Sequence, residues 1–199
     1  MNMKITLLAV LATAALAAPA AAQSAGDMTL GLGVALVSPK SDNGALAGAA
    51  ATVNDSAQPS ITFEYFLRDN LGIEVLGALP FKHSIYLNGG FAGETKQQPP
   101  TISLNYHIPT GSKFTPFVGL GVNYTKFFDT SSPLGDLKID DSFGVAAHLG
   151  ADYALSDKAA LRFDLRYAKI ESDVSLNGAG IGKVEIDPLV TGISYIIKF

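Results

Sequence analysis

Between Leu30 and Phe199 the chain repeats one pattern eight times: large apolar side chains at every second position, with small or polar residues between them. Successive side chains of a strand point to opposite faces, so a period of two marks strands with one apolar face. The segments are Leu30–Leu36, Ile61–Arg68, Leu71–Leu79, Thr101–Ile108, Val118–Thr125, Phe143–Tyr153, Leu161–Tyr167 and Leu189–Phe199. In the cleanest, Leu161, Phe163, Leu165 and Tyr167 alternate with Arg162, Asp164 and Arg166. Eight is an even number, as a single-chain antiparallel barrel of the bacterial outer membrane requires.

The connections alternate in length. Residues 39–58, 81–98, 128–140 and 173–185 read as four long loops rich in Gly, Ser, Asn, Asp and Pro. Between them fall three short turns, at Asp69-Asn70, Pro109 to Lys113 and Ala154 to Lys158. Asp and Asn tolerate the left-handed backbone that a tight hairpin demands. Long loops on one side and short turns on the other match a barrel whose long loops face outward from the cell.

Alternation alone leaves open which face is buried. A soluble barrel would turn the apolar face inward, and a membrane barrel turns it outward. The volume of an eight-stranded lumen decides between them, because it holds only a modest set of side chains. The Leu, Ile, Val, Phe and Tyr of the apolar faces would overfill it, whereas the Gly, Ala, Ser and Thr opposite them fit. Glu64, Arg68, Glu74, Asp152, Arg162, Asp164, Arg166 and Lys198 all fall on the small-residue face, and no charge falls on the other. Arg or Lys facing lipid at mid-bilayer costs about 2–4 kcal/mol. The sequence therefore predicts an all-β fold: an eight-stranded antiparallel up-and-down transmembrane β-barrel, with four long extracellular loops and three short periplasmic turns. Tyr65, Tyr106, Tyr124, Tyr153, Phe163, Tyr167, Tyr195 and Phe199 are candidates for its interfacial aromatic girdles.

Composition agrees. Only 16% of residues are charged, against about 25% in ordinary soluble domains. Past the N-terminus no apolar run approaches the roughly 20 residues of a membrane-spanning helix. Residues 1–22 read as a secretory signal peptide, with Lys4 before an apolar run over residues 5–18 and small residues Ala20 and Ala22 at the expected cleavage site. Residues 23–199 then form one barrel domain. With no Cys there are no disulfides and no thiol chemistry. A net charge of −4 and three scattered His residues point to no nucleic acid, no metal and no cofactor.

The chain resembles the OmpW family of small outer-membrane proteins along essentially its whole mature length. The resemblance rests on Asp69-Asn70-Leu71-Gly72-Ile73-Glu74-Val75-Leu76 leading into Leu79-Pro80-Phe81-Lys82-His83, and on Gln98-Pro99-Pro100-Thr101. It continues through Phe117-Val118-Gly119-Leu120-Gly121-Val122-Asn123-Tyr124 to Asp129, then Asp141-Ser142-Phe143-Gly144 and Ile186-Asp187-Pro188. It implies a narrow, partly hydrophobic lumen that passes small apolar molecules across the outer membrane, with an exit sideways into the bilayer as one route. It also implies outer-membrane lipid, the barrel-assembly machinery and, at the loops, bacteriocins or phages as partners. A surface receptor or adhesion protein, or a structural barrel with a plugged lumen, is the alternative.

Three groups of residues are candidates for function. Glu64, Arg68, Glu74, Arg162, Asp164 and Arg166 face inward, either as a polar plug or as a gate. Leu46, Val53, Phe81, Phe91, Phe127 and Phe128, with Ile85 and Leu87, sit in or beside the long loops and suggest a hydrophobic entrance. Tyr195, Ile197 and Phe199 resemble a C-terminal signal for barrel assembly. A lipid-modifying enzyme is the least favoured reading. Ser103 and His107 share a face but lie about 13 Å apart along a strand, far beyond the roughly 3 Å that a nucleophile and its base need. His83-Ser84 and His148 with Asp152 form no better pair.

Overall fold

A computed structural model describes residues 23–199; the expected signal peptide over residues 1–22 lies outside them. The strands are β1 (Met28–Ser38), β2 (Ala45–Leu46), β3 (Ala49–Val53), β4 (Ser56–Arg68), β5 (Leu71–Ala78), β6 (Phe81–Leu87), β7 (Gly90–Gln98) and β8 (Thr101–His107). They continue with β9 (Phe114–Ser131), β10 (Leu137–Ile139), β11 (Ser142–Ser156), β12 (Ala159–Ala168), β13 (Glu171–Leu176), β14 (Ala179–Glu185) and β15 (Leu189–Lys198).

Eight of them close a barrel in which every neighbour is antiparallel. The ring runs β1-β4-β5-β8-β9-β11-β12-β15 and returns to β1, where Leu32 pairs with Tyr195. All eight expected strands are present. The orientation is also as expected: Leu120 is 72% exposed and Val145 67% exposed on the outer wall, while Glu64, Asn105 and His107 inside are fully buried. Tyr124, Phe143 and Tyr167 face outward at the extracellular end. Tyr65, Tyr106, Tyr153 and Phe199 do so toward the short turns.

The small inner-face residues let the strands curl tightly. At Gly121 an added Cβ would lie 2.1 Å from the carbonyl oxygen of Ile102 and 2.7 Å from the Cα of Ser103 on neighbouring β8. Nothing larger than hydrogen fits there.

The four long connections are not irregular loops. Residues 81–98 form the β6–β7 hairpin and residues 171–185 the β13–β14 hairpin. With β2, β3, β10 and the upper part of β9 they make a second antiparallel tier in the order β10-β13-β14-β2-β3-β6-β7-β9. The cause is turn chemistry. Asn88-Gly89 and Asn177-Gly178 both hold positive φ, at 48° and 83° and at 52° and 80°, the two-residue turn that Asn-Gly favours because it matches strand twist.

Candidate functional site

A layer of paired charge crosses the lumen. Arg162 on β12 donates from Nε to Asp152 Oδ1 at 2.7 Å and from Nη2 to Asp152 Oδ2 at 2.9 Å. Its Nη1 donates to Glu74 Oε2 at 2.6 Å, and Nη2 also reaches Glu64 Oε2 at 3.1 Å. Arg166, two inward positions further up β12, donates from Nη2 to Glu74 Oε1 at 2.7 Å and from Nη1 to Ser103 Oγ at 3.2 Å. Glu74 thus bridges the two guanidinium groups from the opposite wall. Planar guanidinium forks meeting carboxylates are the strong form of this interaction.

Rings seal the layer. Arg162 stacks 4.6 Å from the centroid of Phe117, whose ring lies 5.0 Å from His107 and 4.8 Å from His148. His107 Nε2 sits 2.9 Å from Glu64 Oε1, and Phe66 packs on the far side of His107. His148 Nε2 lies 3.3 Å from Asp164 Oδ1.

Five of the six residues expected to form the polar plug or gate therefore meet in one network. Arg68 does not. A bulge between Phe66 and Arg68 shifts the β4–β5 register, so Phe66 takes the last inward position and Arg68 ends exposed at the periplasmic rim. Asp152, expected to face inward but not placed in this group, completes the network with His107, His148 and Phe117. Asp152 and Arg162 pair directly across β11 and β12, a cross-strand relation that no count along the chain reveals. The same network takes up three of the residues considered for catalysis: Ser103 Oγ accepts from Arg166, His107 binds Glu64, and His148 faces Asp164.

Directly above this layer lies a narrow apolar pocket. Arg166 forms part of its boundary, and Ala35, Val37, Leu76, Ala78, Phe81 and Val190 supply its apolar walls. The cavity is small, about 20 Å³, room for one or two water molecules. Beside the pocket the wall has a seam. The β5–β8 pairing ends at Leu76 and Thr101, and Pro99 and Pro100 carry no N–H to extend it. The Gln98 side chain instead donates to the Ala78 carbonyl at 3.2 Å.

The upper tier continues the apolar column. Leu46, Ile85, Phe127, Ile139, Ile170 and Val174 form its buried core, with Val53 and Leu87 packed against it. Phe81 is buried lower down, against Ala35, Val37 and Val190. Of the expected entrance residues, Leu46, Val53, Phe81 and Phe127 line this interior. Phe128, next to Phe127 on β9, is half-buried. Phe91 departs from the expectation: it is 52% exposed at a hairpin tip, beside Tyr86. A bulge between Ile85 and Tyr86 shifts the β6–β7 register just before this pair.

Polar groups anchor the tier. His83 Nδ1 contacts the Asn54 carbonyl at 2.6 Å, and its Nε2 lies 2.9 Å from Gln97 Nε2. Burial pushes the His83 imidazole below its ordinary range, opposed by the Asn54 carbonyl and the charge of Asp55. At the base of the tier Asp187 pairs with Lys169 at 2.9 Å and accepts from the Ile170 N–H at 3.1 Å, while Lys40 pairs with Glu185. Tyr195, Ile197 and Phe199 continue along the lipid-facing side of β15; Tyr195 is 46% and Phe199 65% exposed.

Comparison with known proteins places this architecture. The model of the OmpW family matches residues 24–199. Outer membrane protein W of Vibrio cholerae is 39% identical, over 99% of this chain and 100% of its own length. The dibenzothiophene metabolism operon protein PahQ of Pseudomonas aeruginosa is 27% identical over 155 residues, which span 74% of each chain. In structure the chain is similar to the outer membrane protein OprG of Pseudomonas aeruginosa, with a TM-score of 0.78 and 34% identity over 89% of this chain and 98% of that one. A closed eight-stranded barrel with an apolar outer wall, matched over its full described length, belongs to the bacterial outer membrane, and the chain is a member of the OmpW family.

Proposed function

We propose that this protein passes small apolar molecules across the outer membrane by passive diffusion, with little accompanying flow of ions. The observation that carries the reading is the apolar pocket resting on a sealed layer of paired charge. An apolar solute gains by leaving water for the column of Leu46, Ile85, Phe127 and Phe81. An ion finds no partner there and meets the Arg162–Glu74 layer below. The relative named for dibenzothiophene metabolism supports a substrate of this apolar kind.

The pocket is too narrow for a solute as it stands, so passage requires the side chains around Phe81 to give way. Axial exit would break buried ion pairs. Exit through the seam between Ala78 and Gln98 would break one side-chain hydrogen bond, which favours release sideways into the bilayer. Uptake of a radiolabelled small aromatic by cells with and without the protein, alongside single-channel recording, tests the reading. Faster uptake with little conductance is expected, and Phe81→Asp should abolish the gain. Uptake unchanged by the protein overturns the conduit and leaves a receptor or structural barrel.

A further inference from the structure

Two residues that line the pocket each carry a buried polar atom with no partner among the described residues. His83 Nδ1, 2.6 Å from a carbonyl oxygen, must be the donor. A neutral ring then has a lone pair at Nε2, and burial favours that neutral form. The Gln97 amide nitrogen, 2.9 Å from Nε2, therefore donates to it. This fixes the amide orientation and leaves Gln97 Oε1 buried with no partner among the described residues. Arg166 spends Nη1 on Ser103 and Nη2 on Glu74 and His148, and its Nε–H is likewise buried and unpaired. Gln97 and Arg166 both line the pocket. Buried polar atoms are almost always hydrogen-bonded, so two orphans in one small pocket need an explanation.

Resting on the conduit reading above, we infer that the pocket selects small apolar molecules that carry a hydroxyl group over hydrocarbons of the same shape. A hydroxyl offers an acceptor to Arg166 Nε–H and a donor to Gln97 Oε1. The apolar remainder lies against Ala35, Val37, Leu76 and Phe81. The other polar groups of the pocket compete little for it: Asn123 Nδ2 donates to Thr101 Oγ1 at 3.0 Å, and Asn123 Oδ1 accepts from Thr125 at 2.7 Å. Once the side chains around Phe81 give way, a hydrocarbon meets the same apolar walls but leaves both orphan atoms unpaired. A site built to hydrogen-bond a solute discriminates strongly against an analogue lacking the group, and one such bond amounts to about tenfold.

The test uses the protein in phosphatidylcholine nanodiscs and fluorine NMR of a matched pair, 4-fluorobenzyl alcohol and 4-fluorotoluene. Partition into empty nanodiscs is subtracted for each. The alcohol should bind about tenfold or more tightly, and Gln97→Met, which keeps the volume and removes the amide, should erase most of the difference. Equal binding of the two probes overturns this inference while leaving the conduit standing. A preference that survives Gln97→Met in a folded barrel also overturns it. Binding of neither probe overturns the conduit as well. Should Gln97→Met fail to assemble, the comparison of the two probes on the unaltered protein still decides the matter.

Discussion

The guanidinium of Arg162 meets the carboxylate of Asp152 in two parallel contacts, 2.7 and 2.9 Å long, between residues directly paired across β11 and β12. From this fixed point the same guanidinium reaches Glu74 and Glu64 on β5 and β4. One cation therefore ties opposite walls of the barrel together.

Removing it should be severe. Arg162→Met leaves three buried carboxylates without their main partner, and a broken buried pair typically costs about 3–5 kcal/mol. Urea unfolding in lipid vesicles should show a loss of that order. Adding Glu64→Gln and Asp152→Asn should recover part of it, because fewer unpaired charges remain. An unchanged midpoint for Arg162→Met would mean that the layer contributes no stability.

The layer should also set conductance. Single-channel recordings of the unaltered protein are expected to show little ion current. The double variant Glu74→Ala/Arg166→Ala removes a bridging carboxylate and the guanidinium at the base of the pocket, so current should rise clearly above the unaltered level. A current that stays at that level would place the seal elsewhere in the lumen.

Gly121 tests the tight curl of the wall. A side chain there meets the backbone of Ile102 and Ser103, which cannot move aside without opening the ladder. Overpacking costs about 1–3 kcal/mol, and Gly121→Val should exceed that range and lower the yield of folded, heat-resistant barrel. The outward-facing Val122→Leu, one residue on, should assemble normally.

His83 makes the upper tier sensitive to acid. Its folded imidazole titrates below the ordinary value of 6.5, so an unfolded hairpin takes up a proton more readily than the folded one. The stabilisation is present above about pH 6.5 and falls as pH drops below it toward the folded value. The protection factors of β6 and β7 amides, referenced to the intrinsic exchange rate at each pH, should therefore fall on acidification from neutral pH while those of the barrel strands hold. His83→Gln should remove that fall, and protection factors that ignore pH in the unaltered protein would contradict the assignment.

The alternation of Leu161, Phe163, Leu165 and Tyr167 with Arg162, Asp164 and Arg166 determined both the strand and its orientation, because the pleat fixes which residues share a face and lipid rejects charge. The same logic placed Glu64 and Glu74 inside. It failed at Arg68, since a bulge shifts the register there and leaves no trace in the alternation. Asn88-Gly89 and Asn177-Gly178 did signal the upper hairpins, but composition rich in Gly and Ser hid them. Partnership emerges only once the ring has closed: which carboxylate meets Arg162, that Phe117 lies between two histidines, and that Gln97 and Arg166 share one pocket. Those relations depend on how far each strand slides against the next as the barrel closes, a quantity set by the whole ring rather than by any one segment.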